Sequence, residues 1–287
     1  MSRTFHLGLM GWPLVHSLSP RLHRAALQAC ELRGNYELYP ISPLPGGTAE
    51  MAALLERLRG GEIDGLNITI PHKQSVLPLL DELSPTAQAI GAANTLYRTG
   101  VRLVGENTDA PAFMEDLELH FSLPRQGKAL VLGAGGAARA SVFALACRGW
   151  QVHVIARRPV QAQQLVKDFA QLTPAPIAMA QPLVEAARIM SILDLDLVVN
   201  TTPLGMHPFE LVSPWPDGIP LPPGCVVYDL VYEPVETSLF CQAQQQGLPA
   251  AGGLGMLIHQ AALAFLRWTD LPIQNLPAVL QAMHSAI

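Results

Sequence analysis

The chain has 287 residues, 49% of them hydrophobic and 14% charged, with a net charge of −5. Apolar material on that scale fills two cores and excludes a disordered chain, while the acidic balance excludes a general nucleic-acid binder. No apolar run approaches the roughly 20 residues that cross a bilayer, and the apolar run after Met1-Ser-Arg-Thr is too brief for a secretory signal.

Residues 6–10 read as a strand, and residues 20–33 as a helix with Ser19 as N-cap and Pro20 at the first helical position. Residues 36–41 form the next strand, and residues 48–59 a helix stopped by Gly60-Gly61. Residues 66–70 are apolar and β-branched, and Pro71 is expected to open another helix. This alternation implies a mainly parallel sheet covered by helices.

A second unit starts near Gly127. Residues 128–132 are a short buried strand, followed by GAGGAAR and a small-residue helix to Arg148. Residues 151–155, 195–200 and 226–230 give three further strands. Seven prolines between 203 and 223 mark a long ordered loop. From Gly252 the pattern is helical, with Leu254, Leu257, Ile258, Ala261, Ala262 and Phe265 on one face. Cys30, Cys147, Cys225 and Cys241 have no CxxC spacing, so buried thiols in a reducing compartment are expected, and neither a disulfide frame nor a metal site. A cytoplasmic protein follows.

Gly133, Gly135 and Ala138 fit the GxGxxA form of the dinucleotide fingerprint, with a strand before, a helix after and a second strand about 20 residues on. In such a turn the unpaired N–H groups of the helix N-terminus face a pyrophosphate. The end of the second strand carries Ala156-Arg157-Arg158 and no acid. An acid there would take a ribose 2′-hydroxyl; two guanidinium groups suit a 2′-phosphate, which favours NADP. The loop Asn200-Thr201-Thr202 follows a parallel strand at its carboxyl end, where a cofactor lies in such sheets.

A nicotinamide enzyme that reduces a ketone needs a proton donor beside the developing alkoxide. Lys73, in NITIPHK, follows a buried strand and is expected in the first turn of a helix, where the dipole opposes an ordinary lysine. Asp109, in ENTD, either caps the helix over 110–118 or partners Lys73 and fixes its direction. His72 points away from its neighbour and is read as secondary.

HSLSP, NITIPHK, GAANT, NTD, GAGGAAR and GLGMLIHQAALAF, in this order and spacing from Gly8 to about Trp268, resemble the shikimate dehydrogenase family. The resemblance implies a two-domain α/β enzyme acting from a cleft between domains, which reduces 3-dehydroshikimate to shikimate with NADPH in aromatic amino-acid biosynthesis. It implies an N-terminal substrate domain over 1–108, a Rossmann-type NADP domain over 109–251 and C-terminal helices over 252–287 that return to the first domain. Ser17 and Ser19 resemble the pair that holds the substrate carboxylate. Asn67, Thr69, Asn94 and Asp109 resemble contacts to substrate hydroxyls and carboxylate, Lys73 the catalytic lysine, and Tyr232 and Gln260 further substrate contacts. Gly133, Gly135, Gly136 and Ala137 match the phosphate loop; Thr201, Gly253 and Met256 fall near the cofactor. The family often carries Asn-Arg-Thr with an arginine three residues on. Here the four positions hold Ala156, Arg157, Arg158 and Gln161, so NADP preference is expected to stand in a less strict form. Threonine in place of the second serine accompanies quinate use in the family, and Ser19 tilts toward shikimate. Members are monomers or homodimers.

Overall fold

The structure is a computed structural model that describes residues 3–170, 177–178 and 194–287. It divides into two compact units, Met1–Asp109 with Ile258–Ile287, and Ala110–Leu257. The divisions fall inside helices, between Asp109 and Ala110 and between Leu257 and Ile258.

The first unit opens with β1 (Thr4–Gly11), α1 (Ser19–Ala29), β2 (Arg33–Pro40), α2 (Thr48–Gly60) and β3 (Gly65–Ile68). β4 (Glu82–Leu83), α3 (Pro85–Ile90) and the hairpin β5 (Thr95–Thr99) and β6 (Arg102–Glu106) follow. Its sheet has the order β2-β1-β3-β5-β6-β4. β1 pairs in parallel with β2 and β3, whereas β5 runs antiparallel to β3 and β6. The alternation of strand and helix does not predict that antiparallel strand. Gly100, at φ +64, lets two residues join β5 to β6, a turn that L side chains rarely adopt. One core cluster under this sheet gathers Met10, Met51, Leu54, Leu58, Leu66, Leu96 and Leu103, the apolar faces of α2 and four strands.

Two expectations fail here. Residues 71–80 form turns and a short 3-10 segment, Leu77–Leu79, instead of an α-helix. Pro78 has no N–H to bond back to Gln74, and it disfavours helical backbone at Leu77. Likewise the N-cap of α1 is Leu18, not Ser19; Ser19 is the first helical residue, and α1 stops at Ala29.

The second unit holds α4 (Asp109–His120, whose first residue lies in the first unit), β7 (Lys128–Leu132), α5 (Gly136–Cys147), β8 (Gln151–Ile155) and α6 (Pro159–Phe169). It continues through β9 (Ile177–Ala178), β10 (Leu197–Asn200), β11 (Val226–Asp229), α7 (Ser238–Gln245) and β12 (Ala250–Gly252). Every strand pair is parallel, in the order β12-β11-β10-β7-β8-β9. Chain order reverses between β7 and β10, which is the doubly wound Rossmann arrangement. Leu130, Leu132, Ile155, Val198, Trp215, Val227 and Leu239 pack into one cluster, so the proline-rich loop is ordered onto the sheet through Trp215.

The terminal helices α8 (Leu254–Thr269) and α9 (Leu276–His284) follow. From Ile258 on they belong to the first unit, where Trp268 packs on β3 and donates from Nε1 to the Leu96 carbonyl at 2.9 Å. A Cβ at Gly65 would overlap the Trp268 ring, so this close packing requires glycine. Among the described residues no helix is long and apolar enough to cross a membrane.

Candidate active site

Strand direction gathers the polar motifs of the first unit. HSLSP follows β1, IPHK follows β3, NTD follows β6, and Asn94 precedes the antiparallel β5. All four segments therefore leave the sheet at the same edge, the carboxyl end of its parallel strands, where ligands bind in such sheets. Asn67 and Thr95 are register partners across β3 and β5, and Thr95 partners Glu106 across β5 and β6.

The centre of this edge is an ion pair. Lys73 Nζ lies 2.7 Å from Asp109 Oδ2, with the lysine side chain 17% exposed and the aspartate 4%. Asn94 Nδ2 reaches Asp109 Oδ1 at 2.9 Å, Thr108 Oγ1 at 2.9 Å and Gln260 Oε1 at 3.2 Å. The Asn94 Oδ1 accepts from the Thr108 N–H at 2.8 Å and from Thr95 Oγ1 at 3.1 Å. Asp109 is the first residue of α4, but its carboxylate serves the lysine, and Asn107 Oδ1 accepts the Asp109 N–H at 3.1 Å. Lys73 owes its place to this carboxylate and to the turn that carries it, not to a helix dipole.

His72 holds that turn. It is fully buried and its Nε2 lies 2.7 Å from the Ile41 carbonyl, which can only accept, so Nε2 carries the proton. Thr69 bonds through its N–H to the Met10 carbonyl at 2.9 Å, and a Cβ on Gly11 would overlap the Thr69 methyl group. Ser17 accepts the N–H of Ser19 at 3.3 Å, so the first serine tethers the start of α1 while Ser19 is buried. Ser17, Ser19, Asn67, Thr69, Lys73, Asn94, Asp109 and Gln260 thus all belong to the first unit, and bonds tie Lys73, Asp109, Asn94, Gln260 and Asn67 into one network.

Three members of the network are not among the expected site residues. Thr95 and Thr108 bond side chain to side chain within it, and Tyr36 on β2 donates to Asn67 Oδ1 at 2.8 Å. Thr95 and Thr108 stand inside the motifs GAANT and NTD, but threonines there read as strand and turn residues. Nothing local marks Tyr36.

Tyr232, Gly133, Gly135, Gly136, Ala137, Arg157, Arg158, Thr201, Gly253 and Met256 belong to the second unit. Gly133 has φ +116, and a Cβ on it would overlap Thr201 Oγ1, which itself bonds the Leu132 carbonyl at 2.7 Å. A Cβ on Gly135 would meet nothing within 4 Å, and Gly135, as N-cap of α5, offers no side-chain bond to the first-turn N–H groups. Open space over unpaired donors fits a dinucleotide pyrophosphate. Arg157 and Arg158 are exposed after β8, with Arg158 as N-cap of α6. Gly253 packs on the Leu230 backbone and Met256 is buried.

Asp229 braces the loops of this unit. Its carboxylate accepts from Asn200 Nδ2 at 2.8 Å, Thr237 Oγ1 at 2.7 Å and the Val231 N–H at 3.0 Å. Burial pushes its carboxyl up to about 6, with those three donors acting the other way. Tyr232, three residues on, has its phenol raised chiefly by burial.

A doubly wound sheet with an open glycine turn, in a chain that also carries a buried lysine–carboxylate pair, defines an α/β oxidoreductase of the dinucleotide-using class. Residues 9–96 match the shikimate dehydrogenase substrate-binding domain, and residues 253–283 the shikimate 5′-dehydrogenase C-terminal domain. The shikimate dehydrogenase (NADP(+)) of Salinibacter ruber is 43% identical over 266 residues, 91% of each chain. The shikimate 5-dehydrogenase of Thermus thermophilus, solved in complex with NADP(H) and shikimate, superimposes with TM-score 0.81 at 38% identity, covering 99% of this chain and 100% of that one. The quinate dehydrogenase of Corynebacterium glutamicum in complex with NAD does so with TM-score 0.82 at 29% identity, covering 98% and 99%. The chain belongs to the shikimate dehydrogenase family.

Proposed function

We propose that this protein is an NADP-dependent dehydrogenase that reversibly reduces 3-dehydroshikimate to shikimate, a small-molecule enzyme of the cytoplasm in aromatic amino-acid biosynthesis. The observation that carries the reading is the part-buried Lys73–Asp109 pair, tied through Asn94 to Gln260.

The first unit serves as the substrate domain. Lys73 Nζ gives its proton to the substrate C3 oxygen in reduction and takes it back in oxidation. Asp109 holds Nζ in direction and accepts from the neighbouring substrate hydroxyl, while Asn94 keeps the carboxylate from rotating. Ser17 and Ser19 take the substrate carboxylate at the start of α1, where the helix N-terminus favours an anion. Asn67, Thr69, Gln260 and Tyr232 complete the contacts to the ring substituents.

In the second unit Gly133, Gly135, Gly136 and Ala137 would hold the pyrophosphate, Arg157 and Arg158 the 2′-phosphate, and Thr201, Gly253 and Met256 the nicotinamide side. Bound NADPH supplies the hydride from its nicotinamide C4 to the substrate C3. Guanidinium groups without a competing acid after β8 support NADP over NAD.

The test is kcat/KM for shikimate and for quinate, each with NADP and with NAD. Quinate carries an extra hydroxyl on a saturated ring, and a site built without a partner for it discriminates against it. The reading expects shikimate with NADP to exceed the other three combinations; parity or preference for quinate would reassign the substrate.

A further inference from the structure

Tyr36 sits on β2, the edge strand of the first sheet, yet it is 3% exposed and its hydroxyl lies 2.8 Å from Asn67 Oδ1. Asn67 is 4% exposed, and its Nδ2 donates to the Asn94 carbonyl at 3.2 Å and reaches Thr95 Oγ1 at 3.4 Å. A carboxamide has one accepting and one donating end. Turned over, it would set Oδ1 against the Asn94 carbonyl oxygen, which already accepts the Ile68 N–H at 2.8 Å. With the tyrosine donating, one orientation satisfies both ends.

The phenol itself is held from below. His23 stacks on the Tyr36 ring with centroids 4.3 Å apart and planes 5° from parallel. Trp268, at 5.3 Å, and Phe265, at 6.2 Å, brace His23 from α8. Both His23 ring nitrogens are buried without a hydrogen-bond partner, so the ring acts as a flat neutral spacer. The hydroxyl therefore joins the network that continues from Asn67 through Asn94 to Asp109 and Lys73.

We propose that Tyr36 is a positioning residue of the substrate site: its hydroxyl holds the Oδ1 end of the Asn67 carboxamide and so keeps that side chain in place for the ligand. The inference rests on the reading that Asn67 contacts substrate. Removing the hydroxyl leaves Asn67 Oδ1 without its donor, and the carboxamide is then held only at its Nδ2 end, by the Asn94 carbonyl and Thr95.

The experiment is a double-mutant cycle of Tyr36→Phe and Asn67→Ala in the full chain, read as KM for shikimate, KM for NADP, kcat and the thermal midpoint. Tyr36→Phe should raise KM for shikimate about two- to ten-fold, the effect of one lost hydrogen bond, and leave kcat within about two-fold. KM for NADP should stay at its wild-type value, and the midpoint should fall by a few degrees as the buried Asn67 acceptor loses its donor. Asn67→Ala should raise KM for shikimate at least as far, and the double variant no further, because Tyr36 acts through Asn67. A normal KM in Tyr36→Phe beside an impaired Asn67→Ala overturns the role of Tyr36 alone, as does strict additivity. Equal loss of shikimate and NADP affinity in Tyr36→Phe assigns the hydroxyl to folding and overturns it too. A normal KM in Asn67→Ala removes Asn67 from the substrate site and takes the proposal with it.

Discussion

Asp109 uses both carboxylate oxygens inside the protein: Oδ2 meets Lys73 Nζ at 2.7 Å and Oδ1 meets Asn94 Nδ2 at 2.9 Å. The aspartate is thereby fixed in the plane that aims the ammonium.

Replacing Lys73 by alanine should lower kcat by about 10²–10⁴-fold, the usual worth of general acid–base help. KM for shikimate should change little, since Asp109 and Asn94 stay bonded to each other. Steady-state kinetics in both directions check this, and a near-normal kcat would remove Lys73 from proton transfer.

The double variant Ser17→Ala/Ser19→Ala should raise KM for shikimate by about ten-fold or more, as charge-assisted bonds to a carboxylate are lost. NADP binding by calorimetry should be untouched, because both serines lie in the first unit. An unchanged KM would leave HSLSP as the start of a helix only.

Arg157→Ala/Arg158→Ala should weaken NADP by about ten- to a hundred-fold while NAD is little affected, since only the 2′-phosphate distinguishes them. Ratios of kcat/KM for the two cofactors read this directly. A ratio that does not move would leave both arginines as solvated surface charges.

Two buried groups act on stability with opposite signs. Burial pushes the His23 imidazole down from 6.5 to about 3, with the nearby Asn67 side chain acting the other way. The unfolded chain then binds more protons than the folded one, and the stability contributed is full above 6.5 and lost as pH falls toward about 3. Asp229, raised from 3.8 to about 6, does the reverse: its contribution is full below 3.8 and lost as pH rises through about 6. Denaturant titrations from about pH 4 to 7 should therefore show His23→Phe gaining relative to wild type toward acid, and Asp229→Asn gaining toward neutrality. Parallel curves for wild type and variant would discount the group concerned.

Periodicity and turn chemistry made three of the six strands of the first sheet and four of the six of the second legible. The inner strands of the second unit are short continuous apolar runs, and the glycine turn sits between two of them, whereas the edge strands β9 and β12 have only two and three residues. The β5–β6 hairpin escaped because Thr95–Thr99 and Arg102–Glu106 mix charged and apolar residues on partly exposed strands. Pro71 looked like a helix start, and the later Pro78 ended that option. Lys73 and Asp109, 36 residues apart, were legible as motif residues, but their bond depends on β3 and β6 ending at one edge of the sheet. Tyr36 was illegible for a similar reason. Its partner is 31 residues away on β3, and the two come within reach only because β1 pairs in parallel with both strands.

The bond from Trp268 to the Leu96 carbonyl has a consequence in time. During synthesis the second unit, continuous from Ala110 to Leu257, has all its residues before the first unit does. The first sheet must wait for Trp268 to cover β3 and, with Phe265, to brace His23, although all six of its strands were made first. An N-terminal segment in this state keeps an apolar face open to water while the whole second unit is made, a period in which such chains aggregate or engage chaperones. The unit that begins the chain is the last to be finished.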